Sequence, residues 1–173
     1  MFTLVIGGAA SGKSEYAERI VTGLDGPRVY LATMEPFGPE AESRIARHRK
    51  MRAARGFETA ERYTDIGNAP VPDGANVLLE DMGNLTANEM FRPDGRGPEA
   101  IFPAVEALLA RCRHLTIVTN EVFSGGTYYA GDTLCYLEAL GEINCRLAAR
   151  ADRVAEVICG LPQIRKEARD ADT

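Results

Sequence analysis

Residues 7–14 read Gly-Gly-Ala-Ala-Ser-Gly-Lys-Ser, which satisfies the spacing G-x4-G-K-[ST]. Glycines at these positions let a backbone curl until successive N–H groups point inward, and a helix starting behind them adds partial positive charge. In such a loop Lys13 reaches the β- and γ-phosphates and the Ser14 hydroxyl faces Mg²⁺. The chemistry is that of a nucleoside triphosphate site. A glycine-rich turn that merely joins strand to helix is the other reading, and the lysine and serine in place speak against it. A metal-side carboxylate is expected where an apolar strand ends. Glu80 and Asp81 follow Val77-Leu78-Leu79 and are the candidates, unless they are ordinary surface charges. Arg44, His48 and Arg52 are four apart, so on a helix they share one face. Flanking positive charge disfavours imidazolium and leaves a neutral ring nitrogen that can attack phosphorus. A solvated basic face explains the same spacing, and spacing alone leaves both readings open.

These residues need strands and helices to hold them. The apolar run 2–6 stops at Gly7-Gly8, and helical spacing follows through Tyr16, Ala17, Ile20 and Val21. Further strands are expected at 28–32, 77–79, 115–119 and 153–159, with helices at 99–112 and 133–151 and a charged, helix-prone stretch at 40–55. Residues 91–98 read as a turn-rich surface loop, and His114 as the residue that opens a strand. Strands alternating with helices predict an α/β fold, a mostly parallel sheet covered by helices on both faces.

The chain has 173 residues, 45% of them apolar and 26% charged. That length suits one domain, expected over 1–166, with a frayed tail at 167–173. A net charge of −5 argues against a broad cationic face for nucleic acid, so phosphate binding should be local. No apolar run approaches a membrane span and no basic leader precedes the first strand, which predicts a cytoplasmic location. Cys112, Cys135, Cys145 and Cys159 lack zinc-ligand spacing and read as small apolar or boundary thiols.

Taken together, GGAASGKS at 7–14, YLAT at 30–33, E-x3-RI-x2-HR at 40–49, Glu61, LLE at 78–80, TNEV at 119–122 and G-x2-N-x2-LA-x2-AD-x-V at 141–154 resemble the bifunctional adenosylcobinamide kinase/adenosylcobinamide-phosphate guanylyltransferase family of cobalamin biosynthesis. The resemblance spans nearly the whole chain. It implies a RecA-like P-loop NTPase fold, commonly in a homotrimer, using ATP or GTP with Mg²⁺ to phosphorylate the aminopropanol hydroxyl of a corrinoid and then transfer GMP to that phosphate. It also implies that His48 carries the guanylyl group and that Lys13 is catalytic. By the same resemblance, nucleotide contacts fall on Gly7, Gly8, Ala9, Ala10, Ser11, Gly12, Lys13, Ser14, Ala32, Thr33, Met34, Arg49, Lys50, Met51, Arg52, Glu61 and Glu80. Ser14 and Glu80, with Asp81 as the other acid, are the metal-side groups.

The chain departs from the pattern toward the acceptor. Leu134 and Leu137 stand where arginines are expected, Glu138 follows, Phe123 to Tyr128 replace the usual stretch after TNEV, and Met82-Gly83-Asn84-Leu85 replace a Leu-Thr-x-Trp. An apolar side chain cannot reproduce a guanidinium fork on phosphate. Two alternatives follow: transfer to a different small acceptor, or a nucleotide-binding regulatory subunit with reduced catalysis.

Overall fold

A computed structural model of the chain describes residues 1–35, 50, 52–126 and 128–167. Arg44, His48, Arg49 and Met51, and most of the helix-prone stretch 40–55, lie outside the described residues, as does the tail from 168. The elements run β1 (Phe2–Gly7), α1 (Lys13–Thr22), β2 (Arg28–Ala32), β3 (Phe57–Glu61), β4 (Asn76–Glu80), α2 (Met82–Phe91), α3 (Ile101–Arg111), β5 (His114–Asn120), α4 (Asp132–Arg150), β6 (Arg153–Ile158) and β7 (Leu161–Lys166).

The strands form one seven-stranded sheet in the order β3-β2-β4-β5-β1-β6-β7, parallel except for β7, which returns antiparallel on β6. Strands buried on both faces read as continuous apolar runs, and these strands divide their side chains by alternation. Val29, Leu31, Val77, Leu79, Leu115 and Ile117 enter the core shared with α2, α3 and α4. Tyr30, Leu78 and Val118 enter the second core, against Ala17 and Val21 of α1. Helices therefore cover both faces, as the alternation of elements predicts.

Three elements were not expected. Strand β3 (FETAE) lies at one edge and buries only Phe57 and Ala60, too few apolar residues to stand out. Strand β7 lies at the other edge, is exposed throughout and contains Pro162, which an edge tolerates. Helix α2 has weak amphipathic patterning and carries Gly83, Asn84 and Asn88, poor helix formers. It is held by its cap, where Asp81 accepts from the Asn84 N–H at 2.7 Å. The loop after α2 is pinned from beneath. Buried Glu89 accepts from the backbone N–H groups of Asp65 (2.7 Å) and Arg96 (2.9 Å). The cysteines are free thiols, and three are exposed rather than packed as apolar residues. Burial pushes the half-buried Cys112 up to about 11.

The G-x2-N-x2-LA-x2-AD-x-V residues turn out to join elements. Asn144 of α4 accepts from the Thr119 hydroxyl at 2.7 Å, and Asp152 accepts from the Phe2 N–H at 2.6 Å. His114 opens β5, buried and hydrogen-bonded to Thr3 at 3.1 Å. Burial lowers its pKa, and the N-terminal ammonium adds to that. The unfolded chain therefore binds a proton that the folded chain refuses just below the ordinary value of about 6.5, so stability falls as pH drops through that region. Urea midpoints at pH 7.5 and 5.5 are expected to differ less in His114→Gln than in the parent. Equal differences would refute this role for His114.

Candidate active site

The parallel strands place the ends of β1, β2, β3, β4 and β5 along one edge. In register, Ala32 lies between Glu61 and Glu80, and Gly7 pairs with Asn120. Residues of the 7–14 loop and both candidate acids therefore reach the same rim, the usual place for ligands of an open α/β sheet.

Between β1 and α1 the loop turns sharply. Gly12 caps α1 with φ +88°, a left-handed conformation, and a Cβ there would stand 3.1 Å from the Gly160 Cα. Gly7 is equally constrained, since a Cβ would fall 2.7 Å from the Val157 carbonyl oxygen. The β6–β7 turn backs the loop through a Gly160 N–H to Ser11 O bond of 2.8 Å. Lys13 lies along the loop, its Nζ donating to the Gly8 carbonyl at 3.1 Å.

Ser14 and Glu80 meet, the hydroxyl donating to Oε1 of the carboxylate. The other oxygen, Oε2, accepts from the Tyr30 phenol at 3.0 Å. Burial raises the Glu80 pKa, while the Ser14 and Tyr30 hydrogen bonds and the Arg52 charge hold it back. Tyr30 is pushed up by burial and then by the Glu80 charge, so the phenol keeps its proton and remains a donor. Asp81 is engaged elsewhere. Its carboxylate caps α2 and also accepts from the Asn84 side-chain amide at 3.0 Å. Hydroxyl plus carboxylate is a hard-oxygen donor pair suited to Mg²⁺, which characteristically takes one or two carboxylates together with substrate phosphates.

The remaining predicted residues are held in different ways. Thr33 is tied to the acid strand, its N–H donating to Glu80 O at 3.1 Å and its hydroxyl to Asp81 O at 2.8 Å. Asn88 reaches over from α2 to donate to Thr33 O at 2.7 Å. Met34 and Lys50 are exposed, and Glu61 accepts from the Tyr63 hydroxyl at 3.3 Å. Arg52 stacks on Tyr30, its Cζ 3.4 Å from the ring centroid. Sequence reasoning named Arg52 and Glu80 and passed over Tyr30, which joins them. A phenol inside an otherwise apolar strand is the signal that was available, since a buried tyrosine hydroxyl needs a partner.

The model of the cobinamide kinase/cobinamide phosphate guanyltransferase family, CobU, matches residues 3–164. The chain belongs to this family. Curated relatives agree with the match over nearly their whole lengths. The bifunctional adenosylcobalamin biosynthesis protein CobU of Salmonella typhimurium is 35% identical, covering 93% of this chain and 97% of the relative. CobU of Escherichia coli is 30% identical with the same coverage, and CobP of Pseudomonas aeruginosa is 29% identical over 94% of this chain and 95% of its own. Among solved structures, the flagellar accessory protein FlaH of Methanocaldococcus jannaschii superposes with a TM-score of 0.51 at 11% identity, covering 96% of this chain and 78% of its own. A prototypical ATPase from the type III secretion system of pathogenic bacteria superposes at 0.50 with 13% identity, covering 95% of this chain and 56% of its own. These last two show the fold alone, a mostly parallel sheet covered by helices. As a member of the cobinamide kinase/guanyltransferase family, the chain is a P-loop kinase and guanylyltransferase. Among the described residues, no helix is long and apolar enough to cross a membrane.

Removing the charge of Glu80 while keeping its shape tests the site. Glu80→Gln is expected to weaken Mg²⁺-dependent triphosphate binding by at least about tenfold, with binding in EDTA little changed. Titration calorimetry with and without Mg²⁺ measures both, and an unchanged Mg²⁺ dependence would remove Glu80 from the metal side.

Proposed function

We propose that one nucleotide cradle, residues 7–14 with Glu80, serves two successive transfers to a corrinoid acceptor. In the first, the aminopropanol hydroxyl oxygen of adenosylcobinamide attacks the γ-phosphorus of ATP or GTP in line. The bond to the β–γ bridging oxygen breaks, the nucleoside diphosphate leaves and the hydroxyl proton passes to water. In the second, a ring nitrogen of His48 attacks the α-phosphorus of GTP and expels pyrophosphate, leaving a phosphoramidate. The acceptor phosphate then displaces His48 and carries GMP away as adenosylcobinamide-GDP.

The observation that carries this reading is the Ser14–Glu80 contact at the mouth of the phosphate loop, in a chain that matches the family over residues 3–164. Ser14 and Glu80 would hold Mg²⁺, which when bound neutralises phosphate charge. The loop N–H groups and Lys13 stabilise the charge that develops on the transferred phosphoryl group, mostly by positioning and electrostatics. A phosphate oxygen replaces the Gly8 carbonyl as the partner of Lys13. The remaining nucleotide contacts fall to Gly7, Gly8, Ala9, Ala10, Ser11, Gly12, Ala32, Thr33, Met34, Arg49, Lys50, Met51, Arg52 and Glu61. The enzyme works in the cytoplasm as a homo-oligomer, a trimer on the family resemblance, with 1–166 as its one domain.

Incubation with Mg²⁺ and α-labelled GTP tests the carrier. The parent is expected to take up label that is acid-labile and alkali-stable. His48→Ala should take up none and still phosphorylate adenosylcobinamide, because in-line transfer needs no protein nucleophile. Loss of both activities in a folded variant would assign His48 to the shared nucleotide site, and retention of both would return it to a solvated face.

At the acceptor end, Leu134 on the first turn of α4 is 41% exposed and Phe123 is 44% exposed. We take the corrinoid to be met there by apolar contact rather than by guanidinium forks. Leu134→Asp should raise KM for the corrinoid severalfold and leave KM for the nucleotide alone. Equal corrinoid KM values would locate acceptor recognition elsewhere.

A further inference from the structure

Tyr30 is a polar side chain in the middle of an interior strand, between β3 and β4, and only 4% exposed. Its ring packs edge-on against Phe57, with centroids 6.4 Å apart and planes at 90°, so it is held by packing as well as by polar contacts. Two groups of the site rest on it. The hydroxyl donates to Glu80 Oε2 at 3.0 Å, which leaves Oε1 turned to Ser14. The ring face carries the Arg52 guanidinium at 3.4 Å, and Arg52 Nε lies 4.0 Å from Glu18 Oε1 of α1. Arg52 is four residues after His48 in sequence. One rigid aromatic residue therefore touches both the acid of the phosphoryl site and the arginine that follows the candidate guanylyl carrier.

We infer that Tyr30 is a positioning residue with two separable jobs: its hydroxyl fixes the Glu80 carboxylate toward Ser14, and its ring seats Arg52 at the nucleotide. The inference rests on the proposed roles of Glu80 and His48. A carboxylate with a single remaining hydrogen bond can rotate, and the Mg²⁺-side geometry then has to be reassembled with each nucleotide. Losing the ring removes the flat surface on which a guanidinium stacks, and an aliphatic side chain offers no equivalent.

Tyr30→Phe keeps the seat and removes the hydroxyl, whereas Tyr30→Leu removes both. Tyr30→Phe is expected to raise the Mg²⁺ concentration for half-maximal kinase activity by about tenfold, with covalent GTP labelling at saturating Mg²⁺ within about twofold of the parent. The same change made on top of Glu80→Gln should then have no further effect on Mg²⁺ dependence, since the hydroxyl acts only through Glu80. Tyr30→Leu should slow labelling at saturating Mg²⁺ by about tenfold more, and Tyr30→Trp should restore it. Should Tyr30→Leu fail to fold, Arg52→Lys tests the seat, with the same labelling loss and unchanged Mg²⁺ dependence expected. Parental Mg²⁺ dependence in Tyr30→Phe would overturn the first job, and parental labelling in the folded seat variant would overturn the second. Absence of labelling in the parent would instead defeat the proposed carrier reaction. Calorimetry of GTP binding across Mg²⁺ concentrations then decides the hydroxyl's role without turnover, and GTP affinity at saturating Mg²⁺ decides the seat: weaker binding in the seat variant supports it, parental binding overturns it.

Discussion

A carboxylate half-buried at the end of a core strand must find hydrogen-bond donors, and around Glu80 this requirement organises the site. Its two oxygens take hydroxyls from two different strand–helix units, Ser14 behind β1 and Tyr30 inside β2. The phosphate loop is thereby fixed relative to β4 although β5 lies between them in the sheet. Neither donor neutralises the charge, so burial still raises the pKa of Glu80. A cation arriving beside Ser14 would relieve that cost, which ties metal-side chemistry to the fold's own electrostatics.

Neighbouring carboxylates are sorted by what their elements need. Asp81, adjacent to Glu80, satisfies the free backbone N–H of Asn84 in the first turn of α2, and α2 in turn sends Asn88 back to the Thr33 carbonyl. Thr33 closes the circuit by bonding both ways with the Asp81 backbone. The ends of β2 and β4 are thus locked together on the side of the sheet where the nucleotide is expected. Beyond β5, the Glu121 carboxylate accepts from the Phe123 N–H and the Ser124 hydroxyl of its own turn, and the Ser124 bond holds its pKa below the ordinary value.

The family match spans the nucleotide rim and the segment after β5 alike. Thr33 is tied to Glu80 through the backbone, and Glu80 to the phosphate loop through Ser14. Several residues after β5 are exposed and apolar, Val122, Phe123, Tyr129 and Leu134 among them. Binding triphosphate demands a fixed set of charges and amides, whereas a large acceptor can be met by many surfaces.

Local chemistry was legible in the residues themselves. The loop at 7–14 announces itself because phosphate recognition by backbone amides needs glycine, lysine and serine at set intervals along a single turn. Interior strands declare themselves because burial on both faces demands unbroken apolar runs, as in β4 and β5. Edge strands β3 and β7 and helix α2 stayed hidden because an edge buries little and α2 is held by its cap and packing more than by its own propensities. Which of two adjacent acids turns inward was decided only in three dimensions. Ser14 lies 66 residues from Glu80 and Tyr30 lies 50 residues from it, and no spacing rule along the chain spans such gaps. The pairing of Tyr30 with Arg52 has the same origin: the ring is fixed by the sheet, and the guanidinium comes to it from a separate segment across the α1 face.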